Sequence, residues 1–390
     1  MSGPRPIRAL FVESQTDLGG AQFALLTMLQ SLDRARVAPV YASLEFGAGD
    51  FAERVEQLGI RVYRLPGGRF RNLWSTAARI GRLHALIREE KIDVVLSNSG
   101  HPLFYARPAA LLARRPCVWW AHAYFPRDPL RGDVVALTQL FLAADSIFAN
   151  SEHMARSLRA VYPERPPIRV VRYGIDLARH APTPQTACAA RRELGISPDE
   201  NVAGIFGRLQ RGKGQHVFLE AASLLEKNAA RARYLIVGGS VFGLEPEYVA
   251  GLRRLVEERG MSERVMFLGQ RTDTNELMNA CDIVVLASIE SETWGLVVAE
   301  AMAAGRAVIA SAEGGPREMI EDGRTGILVP PGDAAALAAA MDSLFRQPER
   351  RCALGRAARL HAEQSFDRFR AAAVLCEALE RVCESHARRG

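Results

Sequence analysis

The sequence predicts an α/β protein of the doubly wound class, two Rossmann-like domains facing a central cleft. Three observations lead there. Short β-branched runs alternate with amphipathic stretches from end to end, the pattern of parallel strands covered by helices. The alternation pauses at 178–186, a turn-rich stretch with Pro182 and Pro184, and then restarts. The length of 390 residues exceeds what one core usually holds, and 48% hydrophobic against 24% charged residues excludes a disordered chain.

Taken in order, strands are expected at 7–12, 37–43, 94–97, 117–120, 146–149 and 168–171. Helical periodicity fills 21–32, 51–58, 73–90, 134–144 and 152–161. The second series of strands is 202–206, 233–237, 265–268, 283–286, 307–310 and 326–329. A helix at 334–345 follows, then a last one from 366 to about 386 with Phe366, Phe369, Ala373, Cys376, Leu379 and Cys383 on one stripe. The expected division is 1–180, 181–364 and the terminal helix 365–390. In such sheets a ligand lies beyond the carboxyl ends of the strands.

Charge and cysteine usage narrow the function classes. Residues 1–180 hold 24 Lys/Arg against 16 Asp/Glu and the remainder 26 against 28, so the first half is basic by eight and the second acidic by two. Only Lys91, Lys213 and Lys227 are lysines, and Arg is scattered, so the charge reflects a preference for Arg and points to no nucleic acid. Arg8 interrupts the first apolar stretch and Glu13 follows it, which argues against a secretory leader. Six cysteines without C-x-x-C spacing read as buried thiols in a reducing cytoplasm.

Two constellations carry chemistry. In S-I-E-S-E-T-W-G-L-V-V-A-E, starting at Ser288, Trp294-Gly295 reads as a turn opening a helix near Leu296. Glu292 then precedes the helix and Glu300 lies one turn inside it. Free amides at Leu296 and Val297 suit a phosphate, and the two carboxylates suit sugar hydroxyls; capping acids of a plain strand-turn-helix are the duller alternative. In G-R-L-Q-R-G-K-G, starting at Gly207, an Arg fork and a Lys point charge follow a strand and precede a helix near His216. That pair matches a diphosphate, while the P-loop spacing fails because Gly214 follows Lys213.

With L-G-G-A-Q at Leu18, W-W-A-H at Trp119, A-N-S-E at Ala149, Y-G-I-D at Tyr173, Gly269, Asp282 and G-G-P-R-E-M-I-E-D-G-R-T-G at Gly314, the whole length resembles a family 4 retaining glycosyltransferase of the GT-B fold. The resemblance implies that the terminal helix crosses back to the first domain. It implies that Arg208 and Lys213 neutralise the donor diphosphate, Glu300 grips the ribose and Glu292 holds the transferred sugar. His122 contacts that sugar or its phosphate, Gly19 and Gly20 let a helix N-terminus approach the diphosphate, and Gln270 and Arg271 lie beside the base. Glu292, His122, Arg208 and Lys213 form the expected catalytic group. Thr293 and the G-G-S at Gly238 depart from the family pattern.

The activity so implied is transfer of a hexosyl unit from a UDP- or GDP-sugar to an acceptor hydroxyl in polysaccharide or glycoconjugate synthesis, in the cytoplasm. No metal is expected, because no ligand cluster or Asp-x-Asp pair occurs. The acceptor is a glycan, a lipid-linked sugar or a small molecule. A nucleotide-sugar isomerase or epimerase of the same fold, or a silent binding subunit, are the alternatives; the paired glutamates argue against the first and the intact Arg208 and Lys213 against the second. Helix 73–90, with Phe70, Leu73, Trp74, Ala77, Ile80, Leu83 and Ile87 flanked by Arg69, Arg71, Arg79, Arg82 and Arg88, reads first as a core helix and second as a peripheral membrane contact.

Overall fold

The computed structural model describes residues 5–16, 19–46, 49–65, 73–123, 144–163, 166–182, 184–226, 232–239 and 245–388. Leu18, Gly67 to Arg71, the expected helix from 134 to 143, Lys227 and Ser240 lie outside them. The chain divides into two compact units, Met1–Ile175 with Arg368–Gly390, and Asp176–Asp367. The expected cuts stood at 180/181 and 364/365.

The first unit contains β1 (Ile7–Gln15), α1 (Gly20–Ser31), β2 (Val37–Phe46), α2 (Phe51–Glu56), β3 (Arg61–Arg64), α3 (Leu73–Glu89) and β4 (Val94–Asn98). It continues through α4 (Gly100–Leu112), β5 (Cys117–Ala121), β6 (Ser146–Ala149), α5 (Glu152–Val161) and β7 (Ile168–Val170). All pairings are parallel, in the order β3-β2-β1-β4-β5-β6-β7. The central strands β4 and β5 are buried at every position, as strands covered on both faces must be.

In the second unit come α6 (Pro184–Glu193), β8 (Asn201–Phe206), a single 3-10 turn at Arg211–Lys213, α7 (Gln215–Glu226), β9 (Ala232–Val237), α8 (Pro246–Glu258) and β10 (Val265–Gly269). Then follow α9 (Thr274–Ala280), β11 (Ile283–Leu286), α10 (Leu296–Ala303), β12 (Ala307–Ser311), α11 (Pro316–Met319), β13 (Ile327–Val329), α12 (Ala334–Arg346) and α13 (Pro348–Ser365). Its sheet runs β10-β9-β8-β11-β12-β13, again parallel throughout. Each strand order reverses once, between β1 and β4 in the first unit and between β8 and β11 in the second. Such a reversal opens a crevice at the carboxyl edge.

The last helix, α14 (Arg368–Ala387), belongs to the first unit, where it packs on α1. Arg36 donates from Nε and Nη2 to the two oxygens of Glu380 at 2.9 and 2.7 Å. A Cβ on Gly174 would stand 2.3 Å from Arg368 Cα, so only glycine lets the start of α14 lie there.

Several expectations are corrected. β3, α4, α6, α8, α9, α11 and α13 were not foreseen, and α6 begins inside the stretch read as linker. Cys188 and Cys352 are exposed rather than buried. The buried face of α3 is Thr76, Arg79, Leu83, Leu86 and Ile87, shifted from the expected stripe, with Ala77 exposed and Trp74 87% exposed. Arg79 is buried with its guanidinium 4.8 Å from the Tyr105 ring centre, a cation over an aromatic face. α3 is therefore a core helix. Among the described residues no helix is long and apolar enough to cross a membrane.

Candidate functional site

At the carboxyl ends of β8, β9 and β10, on one side of the reversal of the second sheet, stand three glycines with left-handed backbone, Gly207, Gly238 and Gly269, at φ 137°, 146° and 65°. They turn together: Gly207 N–H donates to Val237 O at 2.9 Å and Gly238 N–H to Gly269 O at 2.8 Å. A Cβ on Gly238 would lie 1.9 Å from Gly207 O, so the close approach of these turns needs glycine there. The G-G of Gly238-Gly239, noted as a departure, thus has a packing role.

The loop after β8 carries Arg208 and Lys213. It is held from behind by Gln215, a buried side chain whose Nε2 donates to Arg208 O at 2.8 Å and whose Oε1 accepts from Tyr248 OH at 3.1 Å. Arg208 itself is exposed, and its guanidinium has no ion-pair or hydrogen-bond partner among the described residues. Lys213 is different: Nζ donates to Glu292 Oε1 at 2.5 Å, and Ser288 Oγ donates to the same oxygen at 2.6 Å. Sequence reasoning assigns Lys213 and Glu292 to separate groups of the donor, and it misses Ser288, Gln215 and Tyr248.

The loop after β11 is pinned from below by the G-G-P of 314–316. Gly315 N–H donates to Glu292 O at 2.8 Å. Gly295, at φ 100°, caps α10, and Val298 N–H turns back to Gly295 O at 2.9 Å. Leu296 and Val297 are thus the first two helical residues, with amides at the opening of the helix. Glu300 stands on the same helix, where burial raises its pKa to about 7. His180 Nε2 is 4.0 Å from Glu300 Oε1, but burial drops that imidazole to about 4, so at neutral pH it faces the carboxyl as a neutral ring.

This shift has a measurable sign. A carboxyl whose folded pKa exceeds its unfolded value near 4.5 stabilises the fold below that value and loses the contribution as pH rises towards 7. Glu300→Gln, which cannot ionise, is expected to gain on the native protein by about 2 kcal/mol between pH 5 and 8. Urea denaturation of both at several pH values reads it; a constant difference across that range would show that Glu300 titrates normally.

The base-side residues separate. Gln270 lies over Gly239, where a Cβ would meet its Cβ and Oε1 at 3.3 Å. Arg271 instead turns outward, donating from Nε to Asp273 Oδ1 at 2.7 Å and from Nη2 to Glu193 Oε1 at 3.0 Å.

At the reversal of the first sheet, Gly19 caps α1 and its N–H donates to Gln22 Oε1 at 3.2 Å. Around a Cβ placed on Gly20 nothing stands within 4 Å, so packing does not demand glycine at that position. His122 follows β5 and is held on both ring nitrogens: Nε2 is 2.6 Å from Asn98 Oδ1, and Nδ1 meets Tyr173 OH. Asn150 Nδ2 donates to Tyr173 OH at 3.1 Å, and the Trp120 ring lies 5.5 Å from the His122 ring and 5.6 Å from Tyr173. The W-W-A-H, A-N-S-E and Y-G-I-D blocks therefore meet in one cluster. Burial lowers the His122 pKa to about 3.

Residues 18–179 match the family model described as Glycosyltransferase Family 4, and 189–361 the model described as Glycosyl transferases group 1. The D-inositol 3-phosphate glycosyltransferase of Nocardia farcinica is 38% identical over 231 residues, 57% of this chain and 50% of that protein. The protein of the same name from Mycobacterium bovis is 34% identical over 333 residues, 80% of this chain and 64% of the other. The chain thus spans about half the length of the first of these relatives. HepE of Anabaena, solved in complex with UDP-glucose, is 26% identical with a TM-score of 0.85, covering 96% of this chain and 100% of that one. The two parallel-sheet units have the GT-B architecture.

Proposed function

The chain belongs to the glycosyltransferases of group 1 and family 4, and from that premise we propose that it moves a hexosyl unit from a UDP-sugar, or a GDP-sugar, to an acceptor hydroxyl with retention at the anomeric carbon. In the proposed reaction the bond from the anomeric carbon to the diphosphate breaks, the acceptor oxygen attaches on the same face, and its proton passes to the leaving phosphate oxygen. The observation that carries this reading is the exposed Arg208, whose guanidinium has no ion-pair or hydrogen-bond partner among the described residues, on the same loop as the Lys213 that pairs with Glu292, at the crevice of a doubly wound sheet. A cation on a loop whose backbone Gln215 anchors suits the charge that develops on a departing diphosphate. Glu292 binds sugar hydroxyls in this scheme, Glu300 the ribose, and Gln270 the edge of the base. Arg271, already paired twice, is the weakest of the base-side assignments.

UDP is the preferred nucleotide because HepE, similar along nearly its whole length, is solved with UDP-glucose. The relatives named for D-inositol 3-phosphate support a hydroxylated small molecule or glycan as acceptor. A thermal-shift series with UDP, GDP and ADP, each with and without excess EDTA, tests the proposal. At a hundredfold excess over Kd a ligand of the native state contributes roughly 2.7 kcal/mol, a shift of several degrees. The expected result is a shift with UDP that EDTA leaves unchanged. No shift with any nucleotide would overturn the donor assignment, and a shift abolished by EDTA would overturn the proposal that no metal is needed.

A further inference from the structure

Glu13, on β1, is a fully enclosed carboxyl of the first unit that the donor chemistry leaves unaccounted for. Four N–H donors converge on it. The backbone amides of Ser14 and Gln15 donate to Oε1 at 2.7 and 3.0 Å, Gln22 Nε2 donates to Oε2 at 3.1 Å, and Asn98 Nδ2 donates to Oε2 as well. Two oxygens accepting four donors leave no room for a carboxyl proton facing them, although burial pushes the pKa of Glu13 upward.

That arrangement fixes the next link. Asn98 must give its NH2 to Glu13, so the atom left facing His122 is Oδ1, an acceptor. His122 Nε2, 2.6 Å away, must then carry the ring proton. Its Nδ1 is left as an acceptor for Tyr173 OH, which takes its own hydrogen bond from Asn150 Nδ2. The hydrogen bonds run in one direction from Asn150 through Tyr173, His122 and Asn98 to Glu13. The backbone around Asn98 is also committed: Ser99, the following residue, is held at φ 104°, a conformation side chains rarely adopt. Its N–H donates to Trp120 O at 3.1 Å and its carbonyl accepts from Ser97 Oγ at 2.9 Å.

We propose that Glu13, acting through Asn98, is a positioning residue that holds His122 as the neutral Nε2–H tautomer in a fixed ring orientation. His122 then serves the reaction as a placed neutral dipole and not as a proton carrier. The mechanistic half of this inference rests on the proposed glycosyl transfer; the tautomer half does not.

Glu13→Gln is the decisive substitution. The backbone amides of Ser14 and Gln15 cannot rotate, so the oxygen of the substituted side chain stays with them and its NH2 faces Asn98 and Gln22. Asn98 then flips to present its oxygen to that NH2 and its own NH2 to His122 Nε2, which forces the proton to Nδ1. Long-range nitrogen–proton NMR of the histidine-labelled full chain at pH 7 reads this directly. The chain has eight histidines, and His122 is assigned by the signal lost in His122→Asn.

The expected result is Nε2–H in the native protein and Nδ1–H in Glu13→Gln, with turnover falling about 10- to 100-fold at little change in donor KM. Either an imidazolium or Nδ1–H in the native protein, or Nε2–H persisting in the variant, would overturn the proposal. Should Glu13→Gln not fold, Asn98→Ala replaces it, with loss of the single Nε2–H form expected and its retention overturning the idea. If the tautomers behave as stated while no sugar nucleotide binds, the relay stands and the proposed function fails.

Discussion

Arg208→Ala is expected to raise the barrier to glycosyl transfer by about 2–4 kcal/mol, roughly 30- to 1,000-fold in turnover, while stability moves by no more than about 0.5 kcal/mol. The contrast follows from the geometry. The guanidinium is exposed and has no ion-pair or hydrogen-bond partner among the described residues, so little stability is expected to go with it, and its proposed role is with the departing diphosphate. Lys213→Ala is expected to lose a similar factor in turnover and also to unpair Glu292, which keeps only the bond from Ser288 Oγ at 2.6 Å. That ion pair is partly exposed, 30% and 16% for the two side chains, so its loss costs at most about 1 kcal/mol of stability. In the proposed reaction both cations serve one leaving group, so the double variant is expected to fall well short of the product of the single losses. Steady-state turnover and urea denaturation of the three variants check this. Near-normal turnover in both single variants would remove the diphosphate assignment.

The strands were legible where they are buried on both faces, because β4, β5, β8, β11 and β12 are nearly continuous apolar runs. β3 was not, since Arg-Val-Tyr-Arg on the sheet edge has charge at both ends and four residues in all. α4 was hidden by Pro102 and Pro108. The first stands in the opening turn, where its missing N–H costs nothing, and the second is carried by a helix buried between α3 and the sheet. α6 was masked by Pro184, which signals a turn in sequence but opens this helix. The polar, Arg-rich α13 has too weak an apolar stripe to be found by periodicity, with Leu354, Ala358 and Ala362 as its main buried side chains.

Within the site, sequence was informative where one loop carries the chemistry and silent where distant segments meet. The turn at Trp294-Gly295 and the start of α10 at Leu296 are local properties and were read directly. The Lys213–Glu292 contact joins residues 79 apart, and Asn98 reaches Glu13 across 85. Both contacts follow only from strand order, β8 beside β11 and β1 beside β4, which no local pattern records. Glu13 gave no signal because a single acid just past the expected strand 7–12 reads as the residue that closes it, whereas β1 runs on to Gln15. Its partners Asn98 and Gln22 come from the neighbouring strand and from the helix after β1.

Gly314→Ala is expected to cost about 2–4 kcal/mol of stability and at least about tenfold in turnover, where Gly323→Ala costs about 1 kcal/mol and leaves turnover intact. The two glycines share a left-handed backbone, φ 68° and 73°, so the conformational penalty of adding a Cβ is the same at both. What differs is the space. At Gly323 nothing lies within 4 Å of the added carbon, whereas at Gly314 it would meet Glu292 O at 2.1 Å and Glu292 N at 2.8 Å. Those are backbone atoms, which cannot swing aside as the end of a side chain can. The loop must move, and with it the Glu292 carboxylate that Lys213 and Ser288 hold at 2.5 and 2.6 Å. Displacements of this size at a reacting group are costly to rate even when the fold survives. Denaturation midpoints separate the shared backbone penalty from the clash, and turnover reports whether Glu292 has shifted. If Gly314→Ala behaves like Gly323→Ala in both measurements, the loop after β11 yields freely and the placement of Glu292 is not set by the glycines beneath it.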